Sequence, residues 1–246
     1  MSAVLEVQGL SKTFGALKVI EDFSIRLVEG ERRLILGPNG AGKTTLFNMI
    51  SGDIRQSAGS ICLFGEDVSF LPTARRSARG VARTYQILTL FPHDTLVHNV
   101  KLALLGKRPQ RWNPFLNLDA MPELEDRAMA VLGQVGLAAL AKSPLVRTSY
   151  GEKRRLEIAL ALAQEPRLLL LDEPLAGLSS EERLQMQQLL EAIPRSITVV
   201  MIEHDMDVAL SFADRISLLH HGRLVIEGTR QEVASHPRTR EVYLGH

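Results

Sequence analysis

The sequence predicts an α/β fold: a parallel-sheet core, preceded by a small antiparallel β subdomain and interrupted by an inserted helical subdomain. Three observations predict it. Leu168–Leu171 and Ile197–Ile202 are continuous apolar runs, which fit central parallel strands covered on both faces. Near the start, Phe23, Ile25 and Leu27 alternate with Ser24, Arg26 and Val28, the period of a half-buried strand. From about Ile87 to Leu162 the texture turns helical. Ala128, Val131, Leu132 and Val135 fall at i, i+3, i+4 and i+7, and Leu156, Ala159, Leu160 and Ala163 repeat the pattern.

The elements follow in order. Val4–Val7 and Phe23–Val28 are expected to pair in the antiparallel sheet, and Ser60–Phe64 to add a short strand after the Gly59 turn. Leu34, Ile35 and Leu36 form an apolar strand that runs into a glycine-rich loop, and Leu46–Ile50 continue as a helix. Lys107–Pro122 holds three prolines, Trp112 and two Asn, and reads as a loop or insertion. A helix after Ser179-Ser180 has Glu181 and Glu182 in its first turn, favourable for the helix dipole, and an apolar face of Met186, Leu189, Leu190 and Ile193. Ile216–Leu219 and Leu224–Ile226 read as strands around a hairpin turn at His220-His221-Gly222. That histidine pair has no further ligands around it in the sequence and is read as turn, not metal site.

Composition sets bounds on function. At 246 residues and 45% hydrophobic residues the chain can bury a sizeable core. A net charge of +1 gives no global electrostatic signature for nucleic acid. A single cysteine, Cys62, excludes an internal disulfide, suits a reducing compartment and reads as a small buried apolar residue. No apolar run reaches the ~18 residues that span a bilayer, and the opening MSAVLEVQGL lacks the pattern of a secretory leader. The expectation is a cytosolic chain unless a partner holds it at a membrane.

The stretch GPNGAGKTT, Gly37–Thr45, carries the strongest chemical signal. Gly37, four residues, then Gly42, Lys43 and Thr44, between a strand and a helix, is the spacing of a phosphate-binding loop. Glycines let successive backbone N–H groups turn toward phosphate oxygens, and the helix start adds partial positive charge. Lys43 can reach the β- and γ-phosphates, and Thr44 can place its hydroxyl on Mg²⁺. LLLLDEP ends a buried strand in two carboxylates: Asp172 can hold Mg²⁺, and Glu173 can orient and deprotonate water. Helix capping is the other reading of that pair. Ser149, Tyr150 and Gly151 open a helix whose start is a second anion site, or else a capped basic helix carrying Lys153, Arg154 and Arg155. His204 follows the strand Ile197–Ile202 and can contact a γ-phosphate or position Glu173, or it is an ordinary strand-end histidine. Gln86 stands where the sheet texture gives way to the helical segment.

Taken together and in this order, GPNGAGKTT, Gln86, SYGE, LLLLDEP, Ser179 and His204 resemble the ATP-binding cassette of ABC transporters, over essentially the whole chain. The resemblance implies a phosphate-loop (RecA-like) core over 1–86 and 165–246, together with the β subdomain, and a helical subdomain over 87–164 carrying the signature motif. It implies that Phe14 stacks on adenine and that Gly37, Pro38, Asn39, Gly40, Ala41, Gly42, Lys43, Thr44 and Thr45 form the Walker A loop. Gln86 is implied to touch Mg²⁺ and signal to the membrane subunit. Thr44, Gln86 and Asp172 are the implied Mg²⁺ contacts, partly through water, and Glu173, His204 and Lys43 the catalytic set. Ser149–Glu152 match the signature, with Ser149 and Gly151 facing the nucleotide of a second cassette, and Ala176–Ser179 match the D-loop.

Within the family, GVARTYQILTLFPHDTLVHNV, SYGEKRRLEIALAL, DEPLAGLS, IEHDMDVALSFADRI and EVYLG are similar to the ATPase subunits of branched-chain amino-acid uptake systems. Such systems imply two transmembrane permease subunits, a second and often different cassette (or a homodimer), an external solute-binding protein, and a peripheral place on the cytoplasmic face of the membrane. Urea, amides and organic acids are the alternative cargoes, and a non-transport ABC ATPase the alternative class. The sequence departs from the common Leu-Ser-Gly-Gly-Gln signature at Thr148, Tyr150 and Glu152, and Ser179 replaces the usual D-loop Asp or Asn. Glu152 lacks the amide donor of Gln, while Ser179 can cap the next helix equally well.

Overall fold

Two antiparallel strands, β1 (Ala3–Phe14) and β2 (Leu17–Val28), open the chain, and β1 also pairs with β4 (Ala58–Leu63). The computed structural model describes residues 3–85, 91–113, 115, 117–204 and 212–244. β1 runs well past the expected Val4–Val7. Its ladder shifts register between Val7 and Leu10, where Gly9 takes φ 58°, so the strand bends at a bulge and continues. With β5 (Glu66–Asp67) this sheet has the order β2-β1-β4-β5.

The second sheet has the order β10-β9-β3-β8-β7-β6, built from β3 (Arg32–Leu36), β6 (Val81–Arg83), β7 (Leu168–Asp172), β8 (Thr198–Glu203), β9 (Arg215–His220) and β10 (Arg223–Gly228). All its pairings are parallel except the β9–β10 hairpin. Every residue of β3, β7 and β8 is buried, as a sheet covered on both faces requires, including the polar Arg32, Arg33, Thr198 and Glu203. Helix α1 (Lys43–Ser51) supplies Leu46, Phe47, Met49 and Ile50 to one apolar cluster. That cluster also takes Leu5, Leu10 and Phe23 from the first sheet and Ile35, Leu170 and Ile202 from the second. A short helix α2 (Thr73–Ser77) and the C-terminal α7 (Arg230–Ser235) and α8 (Pro237–Leu244) complete the set of described elements around these sheets.

By contacts the chain divides into two compact units. One comprises Met1–Arg83, Arg167–Glu173 and Ile193–His246; the other comprises Thr84–Pro166 and Pro174–Ala192. The second is helical, with α3 (Leu96–Leu105), α4 (Pro122–Gln134), α5 (Tyr150–Leu162) and α6 (Ser180–Ala192). Its interior takes Leu96, Val100, Leu124, Ala128, Leu132, Leu156 and Ala159, whereas Val131 and Leu160, on the same predicted stripes, are only half-buried. Helix α6 belongs here by hydrogen bonding, since Glu182 near its start accepts from the Gly151 N–H of α5. The proline-rich stretch forms two short 3₁₀ turns, Pro109–Trp112 and Leu118–Ala120, and exposes Trp112 and Phe115. Among the described residues no helix is long and apolar enough to cross a membrane.

Candidate nucleotide site

Three neighbouring parallel strands, β3, β8 and β7, end at one edge of the sheet. Leu36 lies opposite Glu203, and Ile202 opposite Asp172, so the groups following these strands emerge side by side. Ligands of open α/β sheets bind at such carboxyl ends.

The loop after β3 is held in shape by its own backbone. Gly42, at the N-cap of α1, has φ 101°, a conformation that L side chains rarely adopt, and a Cβ there would lie 2.7 Å from Ile20 Cδ1. No side chain caps α1, so its first N–H groups stay available to an anion. Asn39, Gly40 and Thr44 are exposed, Pro38 and Thr45 half-buried, and Gly37 and Ala41 buried. The loop is also tied to the β9–β10 hairpin: Gly222 N donates to Ala41 O at 3.0 Å, and Gly222 O accepts from Glu21 N at 2.9 Å.

Lys43 is 5% exposed and donates to the carbonyls of Gly37 and Pro38 at 2.7 and 3.1 Å. Burial lowers its pKa, while the carboxylates of Glu173, Asp172 and Glu203 pull it back up. Three acidic groups therefore act on the loop lysine through their charge, a field suited to a divalent cation with a polyphosphate.

Asp172 is 2% exposed and its Oδ2 accepts from Arg83 Nη2 at 2.9 Å. Burial raises its pKa, and the Arg83 hydrogen bond and charge oppose that rise. Glu173 sits at φ 47°, a left-handed conformation that costs an L residue energy and recurs at functional sites, with its N–H bound to Ile202 O at 3.1 Å. This turn brings Glu173 Oε1 to 3.7 Å from His204 Nδ1. Glu203 Oε2 lies 3.9 Å from the same nitrogen. Thr44 is exposed in the first turn of α1, and Asp172, Glu173 and Glu203 stand at neighbouring strand tips; hydroxyl and carboxylate oxygens of this kind fit Mg²⁺ with a polyphosphate.

Phe14 is half-exposed at the end of β1, with Lys12 Nζ 4.7 Å from its ring centroid. Gln86 lies outside the described residues. Ser149 and Gly151 lie in the helical unit at the start of α5. Ser149 caps the helix and Glu152 completes a capping box: Glu152 N donates to Ser149 Oγ at 3.2 Å, and Ser149 N donates to Glu152 Oε2 at 2.7 Å. The sequence departure at Glu152 thus has a local role as a carboxylate acceptor. Tyr150 OH donates to Ala176 O at 3.4 Å, and Arg154 Nε donates to Tyr150 OH at 3.0 Å, so the segments Ser149–Glu152 and Ala176–Ser179 share a network.

Sequence reasoning missed Arg83, Glu203 and Glu182 as members of these networks. An arginine closing the short strand Val81–Arg83 directly after two buried apolar residues was the available signal for the first. For Glu182 it was the Ser179-x-x-Glu182 capping pattern.

A glycine loop feeding a helix, with carboxylates and a histidine at adjacent parallel strand tips, defines a phosphate-loop ATPase. The chain belongs to the ABC transporter family, whose model matches residues 20–176, and it is an ATP-binding cassette, an ATPase coupled to transport. It is 34% identical to the high-affinity branched-chain amino acid transport ATP-binding protein BraF of Pseudomonas aeruginosa, over 98% of each chain. It is 33% identical to the corresponding LivG protein of Escherichia coli, again over 98% of each. The lipopolysaccharide export system ATP-binding protein LptB of Acidithiobacillus ferridurans is 36% identical over 100% of this chain and 98% of its own. Among solved structures, the ADP conformation of an ATP-binding cassette of an ABC transporter superposes with a TM-score of 0.86 at 27% identity, covering 100% of both chains.

Proposed function

We propose that this chain hydrolyses ATP to energise an importer of branched-chain or other amino acids, working as one cassette of a pair on the cytoplasmic face of the membrane. Support for the substrate comes from the full-length similarity to BraF and LivG. Support for the chemistry comes chiefly from one observation, Glu173 and His204 at 3.7 Å beside the phosphate loop.

In this reading the N–H groups of Gly37–Thr45 and the start of α1 bind the phosphates, and Lys43 turns from its loop carbonyls toward them. Phe14 offers its exposed ring to the adenine. Thr44 and Asp172 hold Mg²⁺, with Gln86 joining them; the ion supplies charge neutralisation for the phosphates when bound. Glu173 orients water and takes its proton, and His204 fixes the Glu173 carboxylate. Ser149 and Gly151 serve the nucleotide of the second cassette, which is a paralogous chain or a second copy. Two permease subunits and an external solute-binding protein complete the system.

Glu173→Gln tests the chemistry. General-base catalysis contributes about 10²–10⁴-fold, so hydrolysis should fall by that order while ATP binding persists and ATP-dependent dimerisation strengthens. Near-normal turnover would remove Glu173 from the role. The substrate is tested by purifying the cassette with its permeases and assaying uptake of labelled leucine, isoleucine and valine together with urea, amides and organic acids. The similarity to LptB supports a second reading, export. Co-purification with an export permease and no uptake would favour it.

A further inference from the structure

We infer that Arg83 is a positioning residue that holds the Asp172 carboxylate in place for the Mg²⁺-nucleotide; this rests on the proposed reading of Asp172 as a metal carboxylate. Arg83 ends β6, the strand beside β7, where it lies opposite Leu170, two residues before Asp172. Its side chain is 5% exposed and that of Asp172 1%. One guanidinium nitrogen, Nη2, donates to Asp172 Oδ2 at 2.9 Å. The other, Nη1, reaches α1: Asn48 Oδ1 at 2.6 Å, Asp53 Oδ2 just beyond it at 3.0 Å, and Ser51 Oγ at 3.1 Å. The guanidinium carbon lies 5.6 Å from the Phe47 ring centroid, over a side chain that is fully buried.

A carboxylate buried to this degree loses its hydration and needs a hydrogen-bonding partner to hold its orientation. The guanidinium supplies the missing charge and hydrogen bond from a fixed direction. Its planar fork is needed because two nitrogens serve two different elements. α1 begins at Lys43, in the phosphate loop, and β7 ends at Asp172. Arg83 therefore sets the spacing between the helix that follows the loop and the strand tip that carries the carboxylate. It is anchored by Asn48 and Asp53 as well as Asp172, so it orients the acid without entering the reaction.

The test measures ATP affinity with Mg²⁺ and with EDTA for the parent, Arg83→Met, Arg83→Lys and Asp172→Asn, alongside Tm and ATPase rates. Arg83→Met should lose about 10-fold of the Mg²⁺-dependent gain in affinity, the scale of lost support to a metal ligand. Its affinity in EDTA should stay within about 2-fold of the parent, the margin below which a difference of ~0.4 kcal/mol is negligible. Arg83→Lys should recover only part of the gain, because an ammonium restores charge but cannot bridge Asp172 and Asn48 together. Should Arg83→Met not fold, the loss in Arg83→Lys carries the test. An undiminished Mg²⁺-dependent gain in the Arg83 variants overturns the inference, as does an equal loss in Mg²⁺ and EDTA accompanied by a drop in Tm. Asp172→Asn separates the two failures. If it keeps the gain, the reading of Asp172 falls; if it loses the gain and the Arg83 variants do not, only the role of Arg83 falls.

Discussion

The carboxylate of Glu182 accepts the backbone N–H of Gly151 at 3.1 Å. Its other oxygen accepts from the N–H and hydroxyl of Ser179 at 3.0 and 2.9 Å. One side chain thereby ties the start of α5 to the segment before α6. A Cβ on Gly151 would lie 2.4 Å from Glu182 Oε1. Gly151→Ala should therefore break this tie and destabilise the helical unit by about 1–3 kcal/mol, the usual cost of overpacking. Adding Glu182→Ala should recover much of that loss. A denaturation double-mutant cycle reads the coupling, and additive losses would show that the clash is not where the cost arises.

The same carboxylate makes stability depend on pH. The hydrogen bonds from Ser179, backbone and hydroxyl, lower the Glu182 pKa in the folded protein, and burial opposes them. A lowered acid pKa means that the unfolded chain binds the proton more readily, so this stabilisation is present above the unfolded value and lost as pH falls through the folded one. Glu182→Gln should lower Tm near neutrality, and the gap from the parent should close on titration to acid. The side chain is only half-buried, so solvent reaches it and the gap should also shrink with added salt. A gap constant from neutral to acid pH would contradict the assignment.

Glu152 is predicted to matter more for the helix start than for charge. Its Oε2 accepts from Ser149 N, a task an amide oxygen can also perform. Glu152→Gln, which restores the common signature residue, should leave Tm nearly unchanged. Ser149→Ala should cost about 0.5–2 kcal/mol, as loss of a helix N-cap does. Thermal melts of the two variants decide between a cap and a purely electrostatic role, since the latter would make Glu152→Gln the more damaging change.

Gly222 is expected to act on nucleotide binding from far along the chain. At φ 73° its Cβ would fall 2.2 Å from Val19 O, so Gly222→Ala must move the hairpin tip whose N–H holds Ala41 O. The left-handed backbone alone costs an L residue about 1–2 kcal/mol. ATP affinity, measured by calorimetry, should fall along with Tm. Unchanged affinity would show that the phosphate loop keeps its shape without this support.

Legibility in the sequence followed the range of the interactions. Gly37–Thr45 was readable because its geometry is set by neighbours in the chain, and β7 and β8 because burial on both faces leaves an unbroken apolar run. The start of α6 was readable from Ser179 and Glu182. The Arg83–Asp172 bond spans 89 positions and the Glu182–Gly151 bond 31. Neither leaves a local period, because sheet order and helix packing select those partners. β1 was read too short because Gly9 interrupts the alternation at the bulge while the strand continues through it.

Main-chain register gives the parallel sheet a further consequence. Leu36 against Glu203 and Ile202 against Asp172 fix three strand tips at a common height. One residue deleted from β7 or β8 would shift that height by ~3.3 Å and send every following side chain to the opposite face. None of the described residues of 107–122 pairs in either sheet, and Trp112 and Phe115 are exposed there. Doubling the length of a loop costs only ~0.6 kcal/mol in closure entropy. The chain should therefore accept peptide tags or inserted residues there while tolerating no change of length in the strands, a map of permissive and forbidden positions laid down by backbone pairing alone.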